Sequence, residues 1–172
     1  MNRMLPFLFA VAAMLGVSAC GRPFDVKTAP GFVALENQPQ HAYRATTPEG
    51  VVVGIRVVDD EDRGDLAFWT QALVLQLRDV SGYALLESAD TKSADGTPGR
   101  LMKFGHDEDG KPYAYWVAVY LAQGRLFVVE AGGAKDAFER DRPRVERAMH
   151  SVKVRCGSLV APVLASRTCN RW

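Results

Sequence analysis

Cysteine and histidine are scarce in this 172-residue chain, three of each, and neither sign of charge is in excess: 21 Lys and Arg stand against 20 Asp and Glu. His41, His106 and His150 fall in no HxxxH or HExxH spacing, which removes the helical zinc and metalloprotease motifs. The near-neutral balance argues against nucleic acid, or a polybasic membrane patch, as the partner. Ser81 and Ser158 lack a Gly-x-Ser-x-Gly context, and no Gly-Lys-Ser/Thr follows Gly132-Gly133, so neither a nucleophile elbow nor a phosphate loop is present. Asp107, Glu108 and Asp109 sit in a predicted turn, not in the sheltered site that general acid catalysis needs. These absences leave no catalytic group, no cofactor site and no metal ligand set, and the chain reads as non-enzymatic.

One long apolar run is present, residues 4–19, preceded by Arg3 and closed by small residues. It is shorter than the ~20 apolar residues a spanning helix needs and reads as a secretory signal peptide over 1–19. Its end, Val17-Ser18-Ala19-Cys20, resembles the lipobox of bacterial lipoproteins. That resemblance implies diacylglyceryl transfer to the Cys20 thiol, cleavage on its amino side, palmitate-type acylation, and a membrane anchor at the first mature residue. Gly21 rather than Asp after Cys20 resembles the outer-membrane class over the inner-membrane one.

Without residues 1–19, 153 remain, enough for one domain, with 20 basic residues balancing 20 acidic ones. Attachment must then come from acyl chains, of which stable anchoring needs at least two. With Cys20 lipidated, Cys156 and Cys169 are left in an oxidising compartment, where a disulfide is the default and would contribute roughly 3 kcal/mol less any strain. Two sulfurs with no His at ligand spacing do not make a zinc site.

Residues 20–30, with Pro23 and Pro30, read as a lipidated, flexible tether, with the domain occupying 31–155 and a tail 156–172 stapled by the disulfide. Strands are predicted over 32–35, 41–46 and 51–58, the last on its β-branched content. Asp59 to Asp62 reads as a solvated acidic turn. Asp65 is the N-cap of a helix over 65–80, in which Leu66, Trp69, Leu73, Leu77 and Val80 share one face and which Gly82 terminates. A strand over 83–88 and a loop over 89–98 come next. Three strands then follow, 100–104, 113–121 and 125–131, joined by Asp107-Glu108-Asp109-Gly110 and Ala122-Gln123-Gly124 and therefore antiparallel. Both alternating faces of 113–121 are apolar, which demands cover on both sides. A second helix is predicted from about Arg142, Pro143 occupying its first turn after an irregular lead-in over 135–141.

Gly31-Phe32, Trp69, Gly82-Tyr83, the 113–121 strand, Phe138 and Ser151-Val152-Lys153 in this order resemble the PsbP-like and DcrB-like superfamily of small exported proteins. The resemblance implies an α+β fold, an antiparallel sheet with helices on both faces, and an assembly or binding module. Trp69, Tyr115, Trp116 and Tyr120 have two readings: core filling between sheet and helices, or the lining of a groove for a ligand or a partner's anchor residues. The expected function is that of a periplasm-facing, outer-membrane lipoprotein, a non-enzymatic binding module contacting an envelope protein. The alternative is a carrier of a lipid or small apolar ligand between sheet and helix.

Overall fold

Alternation along the central strand decides the architecture. Even-numbered Trp116, Ala118 and Tyr120 join Val53, Ile55, Phe127 and Val129 in one buried cluster, closed by Phe138, Val145 and Met149 of a helix. Odd-numbered Val117 and Val119 join Met102, Phe104, Leu126 and Val128 in a second cluster, closed by Trp69, Leu73 and Leu77 of another. A strand apolar on both faces thus has a helix on each, as its pattern requires. The protein, here a computed structural model, is described over residues 22–61 and 63–154.

The strands are β1 Val33–Ala34, β2 Tyr43–Thr46, β3 Val52–Asp59, β4 Ala84–Lys92, β5 Pro98–Glu108, β6 Lys111–Ala122 and β7 Arg125–Ala134. They form one sheet in the order β1-β2-β3-β7-β6-β5-β4, every neighbouring pair antiparallel. The α+β sandwich expected from the sequence is the fold observed. Asp109-Gly110 and Gln123-Gly124 turn the two central hairpins with positive φ at both residues (52° and 75°, 55° and 69°). That is the two-residue turn whose twist matches the strands it joins.

Helix α1, Leu66–Leu75, starts where Asp65 caps it, the carboxylate accepting from the Phe68 amide at 2.7 Å. It runs into a π-helical turn, Gln76–Val80, and Gly82 ends the element at φ 71°. The acidic turn before α1 is not simply solvated. Asp60 is buried, and its Oδ1 accepts from the Trp69 indole N–H at 2.9 Å and the Gly64 amide at 3.0 Å. One carboxylate therefore fixes both the loop and the first turn of the helix.

Three further expectations are corrected. Strand β4 continues to Lys92, and only residues 93–97 form the connection, tightened by Ser93 Oγ accepting from the Thr97 amide at 3.0 Å. The stretch 22–30 is not a free tether: Phe24 and Ala29 are buried in the core, and Asp25 forms a β-bridge with Lys153. The closing residues Val152 and Val154 are fully buried beside them. Thirdly, α2 is one continuous helix, Lys135–His150, with Pro143 inside it. Phe138, Asp141, Val145 and Ala148 carry a single buried stripe across the proline, and that burial outweighs the lost backbone hydrogen bond. Pro143 itself is exposed, where the carbonyl it leaves without a donor can be hydrated.

Because the proline ring opposes the helix it sits in, Pro143→Ala is expected to stabilise the protein by about 1–3 kcal/mol. Denaturant unfolding checks this; a lower midpoint for the variant would show that α2 depends on its proline.

Candidate functional site

Each helix covers only part of its face. Along the outer side of α2 the floor of β4, β5 and β6 stays open, as a groove of about 610 Å³. Leu86 of β4, Lys103 and Gly105 of β5 and Trp116 of β6 line it, with Lys135, Glu139 and Arg142 of α2 as the opposite wall. It adjoins a smaller hollow of about 180 Å³, which shares Lys103 and Trp116 and adds Leu101, Tyr120, Glu146 and His150.

Trp116 is the centre of the groove. Its ring meets Phe138 edge-on at 5.1 Å, with the Lys103 ammonium 4.7 Å and the Arg142 guanidinium 5.5 Å from its centroid. Cations over an indole face are attracted by its quadrupole, which holds both side chains against the Trp116 ring. Lys103 also pairs with Glu87 at 2.9 Å, and Arg142 with Glu139 at 3.4 Å. The lining therefore alternates in sign around an aromatic centre. Beside it runs β4, an outermost strand of the sheet, its ladder broken by a bulge between Leu85 and Glu87 and its Leu86 side chain 71% exposed.

The four aromatics considered for a groove do not form one. Trp116 and Tyr120 line the α2 groove, whereas Trp69 and Tyr115 lie on the opposite face with α1, and the sheet separates the pairs. Trp69 is tied to Asp60, and the Tyr115 ring packs at a tilt against Tyr83, 5.4 Å between centroids. Cys20, Cys156 and Cys169, the expected lipidation site and disulfide, lie outside the described residues. Among the described residues no group of His, Cys, Asp or Glu is arranged to hold a metal ion, and no helix is long and apolar enough to cross a membrane.

Tyr115 belongs to a polar network not anticipated from the sequence. Glu130 of β7, 13% exposed, receives the Tyr115 hydroxyl at 2.7 Å and Arg56 Nη2 at 2.8 Å on Oε2, while His41 Nε2 lies 2.6 Å from Oε1. His41 is thus half-buried and engaged with Glu130. Gly54 permits the approach: a Cβ there would stand 2.9 Å from the His41 ring and 3.3 Å from Glu130 Oε1. Burial alone would push the Glu130 carboxyl up, but the Tyr115 hydroxyl, the Arg56 guanidinium and His41 outweigh it and hold it below the usual carboxylate range. Burial, and then the Glu130 charge, push the Tyr115 hydroxyl well above its ordinary value. No nucleophile stands beside a base in this cluster. It clamps β3, β6, β7 and the entry to β2 where α1 does not reach.

The signal for it was faint. Arg56 and Glu130 are charges of opposite sign inside mostly apolar strands, but their separation of 74 residues hides the pairing until the β3–β7 register is known.

No family model matches the sequence, and a search of curated proteins finds no match. Solved structures do share the fold. LpqN of Mycobacterium tuberculosis, described as involved in cell envelope biogenesis, superposes with TM-score 0.59 at 13% identity, covering 76% of this chain and 82% of that one. The Ran-binding protein Mog1p of Saccharomyces cerevisiae gives 0.56 at 11%, over 77% and 90% of the two chains. Cyanobacterial PsbP of Synechocystis sp. PCC 6803 gives 0.54 at 12%, over 77% and 86%. At such identities the likeness concerns architecture: the chain has the PsbP-like sandwich.

The sign of the pH dependence follows from the clamp. A carboxyl lowered on folding contributes stability that is present above its unfolded pKa, near 4.3, and is lost as pH falls through the folded value. A raised phenol contributes stability present below about pH 10 and lost as pH climbs beyond it. Glu130→Gln is expected to cost about 1–3 kcal/mol near neutrality, by leaving Arg56 and His41 without their anion, and to flatten the acid limb below about pH 4. Unfolding midpoints across pH test both; an unchanged acid limb would show that Glu130 does not set it.

Proposed function

We propose that the protein is a lipid-anchored, periplasm-facing binding module of the cell envelope, outer membrane favoured, without catalytic groups of its own. The observation that carries the reading is the union of an outermost strand with the groove beside it. An extended polypeptide added to β4 would gain main-chain hydrogen bonds from the strand, and its alternate side chains would meet the exposed Leu86 at the β4 rim of the groove. The envelope role described for LpqN is consistent with this placement, and the sandwich it shares is the link. The lipobox-like Val17-Ser18-Ala19-Cys20 supplies the anchor. A carrier of an apolar ligand fits less well, because the groove is open along its side and lined by ion pairs on both its floor and its helical wall, whereas carriers enclose apolar volume.

Two measurements test this. A photo-crosslinking residue at Leu86 is expected to capture an envelope polypeptide in intact cells, and a charge reversal beside it, Lys103→Glu, is expected to cut capture about tenfold by reversing the rim. Lipid recovered at unit stoichiometry with no protein adduct would favour the carrier. For the anchor, Cys20→Ala is expected to leave an unprocessed precursor; normal cleavage at the same bond would mean an ordinary signal peptidase and no acyl group.

A further inference from the structure

Although the chain as a whole is nearly neutral, α2 separates its charges by side. Glu139, Arg142 and Glu146 form a paired ladder toward the groove. Arg140, Arg144 and Arg147, at i, i+4 and i+7, share another side and line one shallow depression with Pro143. Arg144 is held by Asp141 at 2.8 Å, but among the described residues Arg140 and Arg147 are exposed with no ionic partner.

This arginine side is where the amino-terminal segment lies. Residues 25–31 run back along the second half of α2: Lys153 bridges Asp25, the Lys27 amide donates to Ser151 Oγ at 3.2 Å, and a Cβ on Gly31 would touch Arg144 Nη1 at 3.2 Å. Lys27 and Lys153 thereby extend the basic strip past the end of the helix. Of the nearby acids, Asp25 and Asp141 are already paired, leaving Glu49 and Asp136. The burial of Phe24 also shortens the leash: four residue steps from Cys20 span at most ~14 Å fully extended.

We propose that the Arg140–Arg144–Arg147 side of α2, with Lys27 and Lys153, docks on the anionic phosphate headgroups of the bilayer that carries the anchor. The inference rests on the anchored reading above for its choice of occupant. A domain held within ~14 Å of a membrane presents its near end to headgroups at high effective concentration, and guanidinium forks match phosphate oxygens in geometry and charge. Docking of this kind fixes orientation, so that acyl chains retain the protein and arginines decide which way it faces.

The test uses the full chain carrying Cys20→Ala, which cannot be acylated, sedimented with phosphatidylcholine vesicles or with vesicles containing about one-third phosphatidylglycerol. Binding to the anionic vesicles at ~0.1 M salt is expected to exceed binding to the neutral ones at least tenfold, and ~0.5 M salt is expected to abolish the excess. Neutral vesicles report any pull of the uncleaved apolar leader. Arg140→Ala with Arg147→Ala, both unpaired and so harmless to folding, should remove roughly 25-fold of the anionic binding, about fivefold per arginine. Lys103→Ala, in the groove, should change nothing. Equal binding to both vesicle types, or an excess that the double substitution leaves undiminished, would overturn the proposal. Recovery of the unaltered chain as a soluble, unacylated protein would defeat the anchor instead, and leaves the vesicle comparison readable.

Discussion

A seven-stranded sheet that must be dry on both faces, served by a single helix on each, is the constraint from which the other features follow. Strands stand about 4.8 Å apart, so the sheet is ~29 Å across, whereas a helix with its side chains is ~10–12 Å wide. One helix covers two or three strands. On one face α2 lies over β3, β7 and β6; on the other, α1 lies over β5 and β6 and sends its last turn to β4. The uncovered areas are therefore diagonal to one another. Their side chains must tolerate water, and they do: Lys103 and the Trp116 groove on one face, Arg56, His41 and Glu130 on the other. The groove and the clamp are two answers to one shortage of helix.

The same geometry explains which features were legible in the sequence. Local patterns carried through: the two-sided apolar alternation of β6, the Asp-Gly and Gln-Gly hairpin tips, the Asp65 cap and the glycine ending the α1 region all act within a few residues of themselves. Long-range polar contacts did not. Glu130 meets His41 across 89 residues and Arg56 across 74, and no periodicity records such a pairing. Asp60 looked like one of four acids in a turn, and only the position of the Trp69 indole distinguishes it. Proline misled twice. Pro23 and Pro30 suggested a loose spacer where Phe24 is a core residue, and Pro143 suggested a helix start where a continuous buried stripe runs through it.

Part of the site was within reach of strand parity alone. Tyr115 and Trp116 are adjacent on one strand, so they point to opposite faces and cannot line a common groove. Parity places Trp116 with Tyr120, and both do line the α2 side. It could not say that the floor beneath them would be left open, because that depends on the width of the sheet, and β4 and β5 were read too short. Lengthening β5 to Glu108 adds Gly105, His106 and Asp107 to the shelf that α2 fails to cover.

Whole-chain charge was the least informative quantity, since a sum near zero is silent on arrangement. Helix α2 shows why. Its glutamates share the side of Arg142 and neutralise it beside the groove, while Arg140 and Arg147 stand a third of a turn away without such neighbours. The amino-terminal segment chooses between these sides by packing against the arginine-bearing one, through Ser151 and Arg144. On the proposed anchoring at Cys20 this packing would set the basic side toward the lipid, and one helix would separate attachment on that side from recognition at the groove, with the buried Phe24 shortening the leash.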